Sequence, residues 1–111
     1  MVKSQTLDRT FSALSDDTRR EMLERLRLGP ASVTELARRA GISLPGTLKH
    51  VRILEEARLV TTEKKGRIRE CRLGPDRMDG ATEWIEAQRA VWERRLDRLE
   101  EIVERRKGER T

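Results

Sequence analysis

The stretch from Val33 to Leu54, VTELARRAGISLPGTLKHVRIL, decides the fold. It reads as two short helices joined by a tight turn. Ser32 and Glu35 have the Ser-x-x-Glu spacing of a capping box, so the first helix starts near Val33. Gly41 ends it, because the residue just past a helix often needs a left-handed backbone. Ser43 caps the second helix, and Pro45 falls in its first turn, where its missing N–H is tolerated. Helix, glycine turn, helix is the helix-turn-helix layout, here over residues 32–57. In DNA-binding examples the second helix lies in the major groove.

Downstream of Ala57 the apolar period changes from helical to two. Leu59 to Lys64 and Arg67 to Leu73 read as strands around a Lys65-Gly66 turn, glycine supplying the positive φ of a two-residue hairpin. In that register Val60 faces Cys71 and Thr62 faces Arg69. The tip presents Lys64, Lys65, Arg67 and Arg69 together. A basic hairpin over residues 59–73, directly after a helix-turn-helix, is a wing. Gly74-Pro75 marks the next break.

Upstream, residues 3–14 place Leu7, Phe11 and Leu14 on one helical stripe. Ser15 is expected to cap a second helix, with Asp16 and Asp17 in its first turn and Met22, Leu23 and Leu26 on its apolar face. Gly29-Pro30 ends it. At the other end, residues 77–106 read as one long helix. Ile85, Trp92 and Leu99 recur every seven residues; Leu96 and Val103 form an offset row, and Trp84, Val91 and Ile102 widen the stripe. That is more apolar face than so small a domain can cover, so a partner subunit is expected there. The expected architecture is mainly α (α+β), a winged helix-turn-helix in the order α-α-α-α-β-β-α, as one domain over residues 1–111.

Charge supports a polyanionic partner. The 111 residues carry a formal net charge of +5, with 41 % charged and 3 % aromatic side chains. Residues 34–75 hold ten Lys/Arg against five Asp/Glu, whereas residues 1–33 sum to +1 and residues 76–111 to −1. The excess therefore sits on the helix-turn-helix and the hairpin, where a DNA-binding surface belongs. One cysteine, Cys71, excludes an intrachain disulfide and fits a reducing, cytoplasmic setting. No apolar run approaches the ~20 residues that span a bilayer.

Taken together, LSDDTRREMLERL, SVTELARRAGISLPGTLKHVRILEEARLV and KKGRIRECRL resemble the ArsR/SmtB family of bacterial winged-helix repressors. The resemblance covers roughly residues 7–73, and the terminal helix fits the family's dimerisation helix. It rests on Leu14-Ser15-Asp16, Thr18-Arg19, Glu35-Leu36-Ala37, Lys49-His50, Leu59-Val60 and Gly66-Arg67. The tail with Trp92, Arg95-Leu96-Asp97 and Leu99-Glu100 is similar to a non-metal branch. The resemblance implies a homodimer that represses transcription from a palindromic operator. Arg58 stands where a turn glycine is common, and Leu48 where many members carry a serine that reaches DNA.

The expected DNA-contacting residues are Ser43, Pro45, Gly46, Thr47, Lys49, His50 and Arg52 from the second helix and its cap. Lys64, Lys65, Arg67 and Arg69 join them from the hairpin. Within the helix, Thr47, Val51 and Leu54 share one face, with Pro45, Lys49, Arg52 and Glu56 opposite. The expected dimer interface is Leu7, Phe11, Ile85, Trp92, Leu96 and Leu99. No cofactor and no metal are expected: His50 is the only histidine, and zinc takes about four ligands. The Cys-x-Cys of familiar metal sensors is replaced by Glu35-Leu36-Ala37. No phosphate-binding glycine loop or Ser/His/Asp set suggests an enzyme. Two other readings remain: a coiled-coil protein-interaction adaptor, and a repressor sensing a small molecule in a pocket near Trp84 and Trp92. The sequence names no effector and no operator.

Overall fold

A computed structural model describes residues 2–75 and 78–109, with the side chains of residues 2–4 excepted. Its elements are α1 (Val2–Leu14), α2 (Asp17–Leu26), β1 (Ala31–Ser32), α3 (Val33–Ala40), α4 (Leu44–Glu56), β2 (Val60–Lys65), β3 (Ile68–Leu73) and α5 (Asp79–Glu109). The chain divides into two compact units, the first ending at Gly80 and the second beginning at Ala81, within α5. The fold is a winged helix-turn-helix with a long terminal helix. Arg77, the expected start of that helix, lies outside the described residues.

The local signals of the helix-turn-helix hold in detail. Ser32 accepts the Glu35 N–H at 3.1 Å, and Gly41 closes α3 at φ 69°. The box is one-sided, since the Glu35 carboxylate pairs with Arg25 of α2 at 3.1 Å. Ser43 caps α4 by accepting the Gly46 N–H at 3.1 Å, with Pro45 in the first turn. The cap of α2 is a correction. Asp16, not Ser15, is the N-cap, its carboxylate accepting the Arg19 N–H at 3.0 Å. Ser15 instead donates its hydroxyl to the Ser12 carbonyl at 2.6 Å, at the end of α1. An aspartate adds charge to the cap, which a helix N-terminus favours.

The sheet differs from expectation in two ways. A two-residue strand, β1, pairs antiparallel with β3, giving the order β1-β3-β2 and the element order α-α-β-α-α-β-β-α. The hairpin register is shifted by two residues: Val60 pairs with Leu73, Thr62 with Cys71 and Lys64 with Arg69. The turn is therefore Gly66-Arg67, with Gly66 at φ 64°, not Lys65-Gly66. Placing glycine first in a two-residue turn puts the positive φ where a type II′ turn requires it. Because the shift is even, every side chain keeps its face.

One core holds the first unit together. Met22, Leu23 and Leu26 of α2 meet Val33 and Leu36 of α3, Val51 and Leu54 of α4, and Leu59, Val60 and Cys71 of the wing base. Each is under a tenth exposed. α4 is thus seated by apolar contact along one stripe, which leaves its other side to solvent.

Candidate nucleic-acid interface

The outer surface of α4 is basic and uncommitted. Lys49 and Arg52 are exposed, and neither has a hydrogen bond or ion pair to another described side chain. Pro45 and the cap residue Ser43 are exposed beside them, and Gly46 is half-buried. Thr47 is a correction to the expected contact set. It is fully buried, and its hydroxyl donates to the Ser43 carbonyl at 2.9 Å. Its position beside Val51 and Leu54 on the inner face excludes it from an external surface in this structure. Leu48 is 37 % exposed, at the edge of the core rather than in it.

His50 is half-buried and faces inward, toward α2. Its Nδ1 lies 3.1 Å from Nη1 of Arg19 and 3.9 Å from Oδ2 of Asp16. The Asp16 carboxyl is held below its ordinary range, chiefly by the Arg19 backbone N–H, with the Arg19 guanidinium charge adding to that effect against partial burial.

The four wing cations divide into two pairs. Lys64 and Arg67 are exposed, and neither is engaged by another described side chain. Lys65 binds Glu70 at 3.3 Å. Arg69 donates to the Thr62 hydroxyl at 3.0 Å, and that hydroxyl donates to Glu55 of α4 at 2.8 Å. The Glu70 carboxylate also pairs with Arg72, and these two cations, Arg72 first, hold its carboxyl below the ordinary range. Nothing local in the sequence points to the Arg69–Thr62–Glu55 chain, which ties the wing to α4. Arg58, which stands where a turn glycine is common, is exposed at the junction between them, in the left-handed region at φ 63°.

Cys71 is fully buried between β1 and β2, and burial pushes its thiol up to about 11. Among the described residues, no group of three or more His, Cys, Asp or Glu is arranged to hold a metal ion. A cleft of about 400 Å³ in the first unit is lined by Leu14, Leu23, Leu59, Leu73 and Met78 together with Arg20, Glu24 and Arg27. Neither tryptophan is among its lining residues.

The second unit presents a different surface. Trp84, Ile85, Val91, Trp92, Leu96, Leu99, Ile102 and Val103 of α5 are each between 38 and 63 % exposed in the single chain. Leu7 and Phe11, the α1 members of the expected dimer interface, are half-buried. No helix among the described residues is long and apolar enough to cross a membrane.

Comparison with known proteins places this geometry. A helix-turn-helix domain family matches residues 14–63. A solved ArsR family transcriptional regulator superposes with a TM-score of 0.75 at 38 % identity, over 81 % of this chain and 93 % of that one. The chain belongs to the ArsR family. The HTH-type transcriptional regulator Rv2034 of Mycobacterium tuberculosis is 44 % identical over 68 residues, 61 % of this chain. The match spans 64 % of that relative's length. The transcriptional repressor SdpR of Bacillus subtilis is 33 % identical over 60 residues, 54 % of this chain and 67 % of that protein.

Proposed function

We propose that this ArsR-family chain is a DNA-binding transcriptional regulator acting in the cytoplasm, a homodimer that represses from a palindromic operator without sensing a metal. The carrying observation is the uncommitted basic face of α4. Lys49 and Arg52 stand outward with no side-chain partner among the described residues, on a helix whose opposite side is anchored by Val51 and Leu54. Cations held in this way are available to phosphate oxygens and guanine edges. Lys64 and Arg67 extend the same charge along the wing, where they suit phosphates or an adjacent minor groove. A repressor role is supported by the likeness to SdpR.

Dimerisation is supported by α5. A continuous arc of exposed tryptophan, leucine and isoleucine along one helix is the surface expected at a subunit interface. Two copies would present two recognition helices related by a twofold axis, and so would read an inverted repeat.

The test is affinity selection of duplexes from a random library, followed by gel shift at physiological salt with competitor DNA. Enrichment of an inverted repeat, bound by two protomers, supports the reading. Binding that competitor DNA abolishes, from a protein that still self-associates, would favour the coiled-coil adaptor. Zinc, cadmium or arsenite leaves operator affinity unchanged on this reading; release of DNA by a stoichiometric metal would refute that part alone.

A further inference from the structure

Among the described residues Arg19 is the one charged side chain that is buried, at 9 % exposure. Its Nε donates to the Ala13 carbonyl at 2.8 Å and its Nη2 to the Ser12 carbonyl at 3.0 Å. Both carbonyls belong to the last turn of α1, where helical partners run out. The remaining fork, Nη1, reaches Nδ1 of His50 on α4 at 3.1 Å. A guanidinium can only donate, so Nδ1 is the acceptor, and the hydrogen of the neutral ring lies on Nε2. The Asp16 carboxylate, which caps α2, stands 3.9 Å from the same nitrogen. One arginine of α2 thereby joins the end of α1 to the recognition helix.

We propose that His50 is a positioning residue: acting through Arg19, it fixes the roll of α4 and so the aim of Lys49 and Arg52 at DNA. The inference rests on the DNA-binding reading. The buried stripe of α4 is Thr47, Val51 and Leu54, and the Thr47 hydroxyl is satisfied within its own helix end. Apolar contact of this kind is non-directional and resists separation better than rotation. His50 lies one helical step from that stripe, at its edge, and supplies a directional bond to a different element. Lys49 precedes it and Arg52 follows two residues later, so a roll of the helix moves both.

The experiment compares a duplex that wild-type protein enriches from a random library with an unselected random duplex. His50→Leu should bind the enriched duplex about tenfold more weakly while random-duplex affinity stays within about twofold, the scale of one lost bond to a charged group. His50→Asn, whose side-chain carbonyl can replace Nδ1 as acceptor, should stay within about twofold of wild type on both. Imidazole nitrogen NMR shifts should show Nδ1 bare and Nε2 protonated in neutral His50. Arg19→Lys keeps the charge but not the three-way fork; it should alter that signature, and its loss should not add to that of His50→Leu. Should Arg19→Lys not fold, the leucine and asparagine comparison decides alone. Wild-type affinity in His50→Leu, or equal losses in the leucine and asparagine variants, would overturn the proposal. So would a weaker grip on both duplexes with a shallower salt dependence, which marks a direct phosphate contact. If wild-type protein enriches no sequence, the DNA reading fails and the proposal with it.

Discussion

The division of the wing into free and engaged cations makes a quantitative prediction. Arg67 is exposed at the tip with no described side-chain partner, whereas Lys65 is held by Glu70 at 3.3 Å. Replacing Arg67 by alanine should remove one phosphate contact per protomer, two per dimer. Each contact contributes about 0.9 to the slope of log affinity against log salt, so the slope should fall by roughly 1.8. Across a fourfold change in salt, from about 50 to 200 mM, that is about a tenfold change in how far affinity drops. Operator and random DNA should lose affinity alike, because phosphate contacts carry no base information. Lys65→Ala should change the slope by less than half as much, because a phosphate must compete with Glu70 for that ammonium. Arg52→Ala should instead narrow the gap between operator and random DNA by about 1–3 kcal/mol if it holds a guanine edge in two bonds. Fluorescence anisotropy with both duplexes, over a salt series, measures all three variants. Equal slope changes for Lys65→Ala and Arg67→Ala would refute the role given to the Glu70 pair. Lost discrimination with an intact slope in Arg67→Ala would mean that the wing reads bases.

Trp92, 63 % exposed in the single chain, should become buried on dimerisation; Trp92→Ala should then cost about 3–5 kcal/mol of association, seen as monomer in sedimentation at micromolar protein. Gly41→Ala places a β-carbon at φ 69° with no atom nearby to clash, so its cost should be the backbone term alone, about 1 kcal/mol by urea unfolding; no measurable loss would contradict the left-handed cap. Because folding lowers the Asp16 carboxyl below its unfolded value, its contribution to stability is present above the unfolded pKa and is lost as pH falls through the folded one. Asp16→Asn keeps a capping side chain but should flatten that acid limb of the stability curve, as read by thermal melts across the carboxylate range. Cys71 should resist alkylation in the native protein near neutral pH and react once urea unfolds it; fast native labelling would mean the wing base opens readily.

The helix-turn-helix was legible because its signals are local. Ser32, Gly41, Ser43 and Pro45 act within a turn of themselves, through one hydrogen bond or one backbone angle, and each does so here as the sequence indicates. The heptad stripe of α5 and the inward placing of Val51 and Leu54 follow from helical period alone. The wing was legible as a hairpin but not in register. An even shift preserves which side chains face inward, so alternation cannot separate Lys65-Gly66 from Gly66-Arg67 as the turn. That choice is made between elements far apart in sequence: Cys71 pairs with Ala31 on one side and Thr62 on the other. Such long-range pairing leaves no local pattern, which is why the two-residue β1 went unseen. The same holds for the polar contacts that divide the site. That Arg19 takes His50, that Glu70 takes Lys65 and that Thr62 takes Arg69 depends on side chains brought together by the packed core. Composition places the excess positive charge on α4 and the wing; only the tertiary structure decides which of those cations keep no side-chain partner among the described residues.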